Sequence, residues 1–203
     1  MAVITFPTSL QVSKQTWGQQ RQDVEFRSMF GAQSVAVASP LWSISMVVTD
    51  SLQANSGAWQ SLLLQLRGRE NQLAMYNIAR PIPVGTMRGN MTFSAAAAQG
   101  ATTFSVIASN MPAKTLLAGD FLGFGSGLTQ QVVMVVANAV SDTTGTITVT
   151  VEPPLNNAFT SGSAVTWSYP CALFRRIESK SQWDYSSVVV SGMTMALLED
   201  TRP

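Results

Sequence analysis

Between Val24 and Val48 apolar residues fall mostly on every second position. Val24 and Phe26, then Val35 and Val37, then Trp42, Ile44, Met46 and Val48 carry the pattern, with Ser43, Ser45 and Val47 between the last four. A period of two sends alternate side chains to opposite faces of a strand, so an antiparallel meander with one buried and one polar face is expected. Phe30-Gly31 and Ser39-Pro40 read as the breaks between its strands. The period then changes. Trp59, Leu62, Leu63 and Leu66 recur at i, i+3, i+4 and i+7, the spacing of one helical face. Asn55 or Ser56 is placed to cap that helix, and Gly68, after Arg67, supplies the left-handed residue that ends it. A lone amphipathic helix must bury its stripe, and the apolar face of the sheet is the simplest place.

Asn71 to Tyr76 reads as a short strand. Arg80-Pro81-Ile82-Pro83-Val84-Gly85 follows, and its two prolines cannot donate to a ladder, so it marks a boundary. From Thr86 to about Trp167 the chain is almost free of charge, with Lys114, Asp120, Asp142 and Glu152 among the few exceptions, and dense in Gly, Thr and Ala. Strands are expected at Thr102 to Ile107, Phe121 to Phe124, Gln131 to Ala137, Thr146 to Val151 and Ala164 to Trp167. Short strands at this spacing make a small barrel or sandwich. Ala95 to Ala98 has no apolar periodicity and reads as loop or strand. After Tyr169-Pro170 the earlier style returns: Leu173, Arg175 and Ile177 alternate with Phe174, Arg176 and Glu178, and Ser187 to Leu198 reads as one long closing strand. The expected fold is mainly β. Residues 1–85 and 170–203 form an antiparallel sheet domain with one amphipathic helix, interrupted by a small β-barrel or sandwich at 86–169.

Composition narrows the chemistry. The chain has no histidine and one cysteine, Cys171, and charged residues are 11% of 203. A Ser-His-acid triad is impossible without histidine. Lys14, Lys114 and Lys180 sit in no serine-lysine motif. One cysteine makes no internal disulfide, and Pro170, Ala172 and Leu173 around it do not activate a thiol, so Cys171 is expected to be buried and inert. A net charge of +1 gives no field to gather nucleic acid or an anionic membrane, and it favours contact between copies. Met1 to Thr16 has no basic stretch leading into an apolar core, so neither a secretory signal nor an anchor is expected. Apolar stretches such as Val132 to Ala137 and Val188 to Val190 fall well short of the roughly 20 residues that span a bilayer.

Gly123-Phe124-Gly125-Ser126-Gly127 superficially looks like a phosphate loop, but no Gly-Lys-Ser/Thr ending or following helix accompanies it, and a hairpin turn is expected. Asp120, Asp142, Glu152 and Asp184 are expected to be turn carboxylates, since nothing has the spacing of a calcium loop. No metal or cofactor is implied. Arg67, Arg69, Arg80 and Arg88, with Arg175 and Arg176 later, form a loose basic set. These arginines either compensate a helix end and strand ends or meet carboxylates of a neighbouring copy. Trp42 and Trp59 are expected in the core. Trp17 and Trp183, in polar surroundings, are candidate interface anchors.

Taken together, the N-terminal strands, the helix Trp59-xx-Leu62-Leu63-xx-Leu66-Arg67-Gly68-xx-Asn71, the Pro81-Ile82-Pro83-x-Gly85 segment and the inserted module resemble the distal tail and minor tail proteins of long-tailed bacteriophages. Leu117-Ala118-Gly119-Asp120-Phe121, Val132 to Val136 and the Glu152-Pro153-Pro154-Leu155 turn are similar to the same family. The resemblance covers most of the chain. It implies a structural virion protein, not an enzyme, made in the host cytoplasm. Copies form a ring, commonly of six, that joins the tail tube to the hub or baseplate proteins and the adsorption apparatus at the tail tip. The sheet domain would line the ring with the insertion facing outward, and DNA would pass only as cargo through a bore with few inward basic residues. In some relatives the outward module has a carbohydrate-binding fold, although no cluster of sugar-stacking aromatics is evident here. Two other readings are carried: a carbohydrate- or receptor-binding adhesive module, and an enzyme acting on polysaccharide through two acids.

Overall fold

The computed structural model describes residues 1–7, 9–52, 56–186 and 188–201. The chain opens with strands β1 (Val3–Thr5), β2 (Val12–Ser28), β3 (Gly31–Val48) and β4 (Ser51–Leu52), the helix α1 (Gly57–Gln65) and β5 (Gln72–Met75). It continues through β6 (Met91–Phe93), β7 (Thr103–Ala108), β8 (Thr115–Leu116), β9 (Phe121–Phe124), β10 (Gln131–Val135), β11 (Ala139–Val140), β12 (Thr146–Glu152) and β13 (Ala164–Thr166). It closes with β14 (Ala172–Arg176), β15 (Asp184–Ser186), β16 (Val189–Ser191) and β17 (Thr194–Glu199). The protein is mainly β, and α1 is the one α-helix among the described residues.

Six strands make a sheet in the order β1-β5-β14-β17-β3-β2. Its pairs are antiparallel except β1 with β5, which is parallel, a departure from the purely antiparallel sheet expected. Alternation on β3 puts Trp42, Ile44, Met46 and Val48 on one face. Met195 and Leu197 of β17 face the same way, because Met195 pairs with Met46 and Leu197 with Ile44. The helix lays Trp59, Leu62, Leu63 and Leu66 on that face, and all these side chains belong to one buried cluster. Beyond α1 the chain turns through Arg67 and Gly68 at φ of 46° and 66°. Glycine suits Gly68 twice over, since a Cβ there would also stand 3.1 Å from the Ser179 carbonyl. The N-cap position falls to Ser56, which makes no side-chain capping bond, and Asn55 lies outside the described residues.

The expected meander between Val24 and Val48 is instead one long hairpin. Strands β2 and β3 pair from Val12 and Val48 to Ser28 and Gly31, with only Met29 and Phe30 between the strands. Ser39-Pro40 does not break β3. The other neighbour, β17, pairs only with Ser43 to Val47, so no ladder needs an N–H from Pro40 on that side. Register shifts around Gln22 absorb the remaining mismatch with β2. The expectation of one buried face holds from Trp42 to Val48 and fails from Arg21 to Ser39, where every residue is exposed. The expected single closing strand is likewise two, broken at Gly192 with φ of 68°. Strand β16 joins β15 and β4 in a small separate sheet, β17 returns to the main one, and Ser187 lies outside the described residues.

Strands β10-β12-β7-β6-β13-β9 form a closed barrel. All five expected strands are in it, and β6 closes it; three residues, Met91-Thr92-Phe93, are too short for a period to show. Phe93, Phe104 and Phe124 pack ring to ring inside, at 5.1 to 5.4 Å between centroids. Gly123 to Gly127 is the turn region of the β9–β10 hairpin, as expected, with Gly125 at φ of 74°. The chain passes from sheet to barrel along Pro81–Gly85, which Asp120 holds. This carboxylate, 1% exposed, accepts from the backbone N–H groups of Val84, Gly85 and Leu117 at 2.7 to 3.0 Å. Asp120→Ala leaves three donors without this acceptor and is expected to lower unfolding free energy by about 3 kcal/mol or more, read by urea denaturation. Unchanged stability would show that Asp120 does not secure the junction.

Candidate functional site

The far half of the β2–β3 hairpin forms an arm with two chemically different faces. Val24 pairs with Val35 and Phe26 with Gln33, so these four side chains share a face. Asp23 pairs with Ala36, Glu25 with Ser34 and Arg27 with Ala32 on the other. The apolar face is open to solvent: Phe26 is 61% exposed, and Met29 and Phe30 at the tip are 91% and 95% exposed. Charges on the opposite face neutralise one another, Arg27 with Glu25 at 3.0 Å and Arg21 with Asp23 at 3.5 Å. Exposed pairs of this kind add little stability. A two-stranded ribbon is marginal in water, and the apolar stripe on this one is left uncovered by the other described residues.

The base of the arm is tightly packed by contrast. Trp17 meets Trp42, Phe121 and Phe174 at ring centroid distances of 5.5 to 5.8 Å, joining β2 and β3 to the barrel and to β14. Trp42 donates its indole N–H to the Val132 carbonyl at 2.8 Å and its backbone N–H to Glu199 Oε2 at 2.9 Å. Glu199 is 3% exposed, and burial pushes its carboxyl up from 4.5 to about 7, against the weaker pull of the Trp42 N–H. From the barrel, Glu152 reaches Arg21 at 3.2 Å.

The residues singled out in the sequence fall in several settings. Trp17 and Trp183 are partly buried against the core of their own chain. Arg88 spends its donors on the carbonyls of Pro83, Gly85 and Met87 at 2.6 to 2.9 Å and lies 5.0 Å over the Trp167 ring. Arg67 is exposed beside Glu70 at 3.5 Å. Arg69 and Arg80 are exposed. Arg176 is buried and donates to Ser181 Oγ and the Lys180 carbonyl at 2.7 and 2.6 Å. Trp42 and Trp59 are buried, as expected. Cys171 is only partly buried, because the chain is still entering β14 there; burial nevertheless raises its thiol pKa.

Sequence reading missed Phe26, Val35 and the tip as surface features. Alternation reports that a strand has two faces but not whether another layer of the fold covers one of them. The four charges between Arg21 and Arg27, unlike the serines between Trp42 and Val48, were the available hint. Asp142 is a turn carboxylate, as expected: it accepts from the hydroxyl and N–H of Thr144 and the N–H of Thr146, and the Thr144 hydroxyl leads in holding its pKa down. Among the described residues no group of three or more Cys, Asp or Glu could hold a metal, and no helix is long and apolar enough to cross a membrane. No protein-family model matches the chain, and no curated protein matches it.

Proposed function

We propose that this protein is a structural subunit of a bacteriophage tail tip, whose copies join head to tail into a ring between the tail tube and the hub or baseplate proteins. The arm is the observation that carries the reading. Among the described residues its apolar face and tip have no covering partner, whereas its base is held by aromatic packing and by the Trp42–Val132 bond. An arm packed at its root and apolar along one face suits a heterologous contact, in which one copy's arm meets a different surface of the next. Such contacts close into rings when the rotation per copy allows. The internally paired charges of the opposite face fit a surface that passing DNA does not grip. The resemblance of the helix and proline segments to distal tail proteins points the same way, with the barrel as the outward module and the virion as the setting.

The reading is tested by electron microscopy of the purified protein across a concentration series, with mass measured by light scattering. Closed rings with a central hole are expected. A monomer at the highest concentration, together with absence from assembled phage particles, would end the proposal.

A further inference from the structure

Trp42 clasps the strand that carries the arm to both parts of the fold. It sits just below the level at which β2 and β3 slip register, between Gln20 and Asp23, where the ladder is interrupted and the ribbon bends. Its backbone N–H goes to Glu199 Oε2 on β17 and its indole N–H to the Val132 carbonyl on β10, at 2.9 and 2.8 Å. Beyond this clasp an exposed ion pair, Arg21 with Glu152 at 3.2 Å, also joins arm and barrel, and such pairs hold weakly.

Glu199 is the weak member of the clasp. It is buried, and among the described residues no lysine or arginine pairs with it. Asp120 is as buried but accepts from three N–H groups, whereas Glu199 accepts from that of Trp42. The charged side chains of the surrounding elements are engaged elsewhere. Arg21 of β2 goes to Asp23 and Glu152, Arg176 of β14 to Ser181 and Lys180, and Asp200, the next residue after Glu199, takes Gln72. Arg175 pairs with Leu198, on the face opposite the Phe174–Glu199 pair. From the barrel, β10 brings only uncharged side chains. A carboxyl buried in this way favours its neutral form, and ionising it favours any arrangement that admits water. Water is close, because Leu41, Gln131 and Asp200, each next in sequence to a member of the clasp, line a cleft of about 580 Å³ between arm root and barrel.

We infer that the clasp is a proton-controlled joint, closed on the barrel while Glu199 is neutral and parted from it, with water entering from the cleft, once Glu199 is ionised. The arm's setting on the barrel is then fixed in acid and loosened at neutral pH and above. The proton acts as the ligand of the closed state, where the carboxyl titrates at about 7 against 4.5 when hydrated. Closure is therefore complete below the lower value and is lost as pH rises through the upper one, so opening gains about fiftyfold to a hundredfold between pH 5 and pH 8. The joint lies within one copy, and the ring proposal neither requires nor supplies it, so the two fail separately.

Native-state hydrogen exchange of the full-length protein, followed by NMR at both pH values and corrected for the intrinsic exchange rate, measures the opening of each N–H. The backbone and indole N–H groups of Trp42 are expected to open together, about fiftyfold to a hundredfold more often at pH 8 than at pH 5. At pH 8 they should also open more often than the amides of Val106 and Ile107, which pair on both sides in the barrel, and low urea should speed only those two. In Glu199→Gln the opening of Trp42 is expected to be the same at both pH values. Trp42 groups that exchange no faster than Val106 and Ile107 at pH 8, an indole N–H that stays protected when the backbone N–H opens, or a rise with pH that Glu199→Gln retains would overturn the inference.

Discussion

A Phe26→Asp, Val35→Asp double variant is expected to melt at the wild-type temperature yet to run as a single copy. Both positions are open in the isolated chain, 61% and 43% exposed, and surface changes away from packed features usually stay within about 0.5 kcal/mol. In a contact between copies the same changes remove two apolar side chains and bury two carboxylates without partners. Each buried, unpaired charge costs several kcal/mol, so a loss of about 4 kcal/mol or more is expected, roughly a thousandfold in the association constant. Light scattering measures the mass and calorimetry the melting. A lower melting temperature would show that the arm packs on its own chain, and an unchanged oligomer would move the contact elsewhere.

Glu199→Gln is expected to stabilise the protein above neutral pH and to do little below pH about 4.5. The carboxyl sits under Trp42 with its folded-state pKa raised from 4.5 to about 7, so the folded state holds a proton that the unfolded chain releases over that interval. Stability from this group is complete below the lower value and is lost as pH rises through the upper one. At roughly 1.4 kcal/mol for each pH unit between them, the loss is about 3 kcal/mol. Glutamine carries no charge to desolvate and keeps an oxygen to accept from the Trp42 N–H. Urea unfolding of both proteins at pH 5 and pH 8 gives the comparison. The variant should gain on the wild type only at the higher pH, and an equal difference at both would show that the proton on Glu199 plays no part.

Much of the fold could be read from spacing because the positions concerned face a single environment. Trp59, Leu62, Leu63 and Leu66 meet one sheet, and their helical period records it. Thr146 to Val151 alternates because one side looks into the barrel and the other at solvent. Legibility failed where the two ends of one strand live in different surroundings. Strand β3 is half core and half arm, and Val35 and Val37 keep the period of Ile44 and Met46 but not its phase. The shift from odd to even positions across Ser39-Pro40 marks the change of surroundings without saying which half is buried. Residues 189–199 failed for a related reason: one continuous apolar pattern serves two sheets, and only Gly192 records the turn between them. Glu199 was invisible because Trp42, whose N–H its carboxylate accepts, is distant in the chain.

The chain leaves the sheet after Met75 and re-enters it at Ala172, and those two residues are paired neighbours on β5 and β14. The ends of the intervening stretch are therefore already side by side, and closing them costs little more for a long segment than for a short one. Such a doorway favours exchange of whole cassettes during evolution, with one condition. Any replacement must bring apolar groups where Phe121 and Val132 now cover Trp17 and Trp42, or the framework would be left with an oily window onto water.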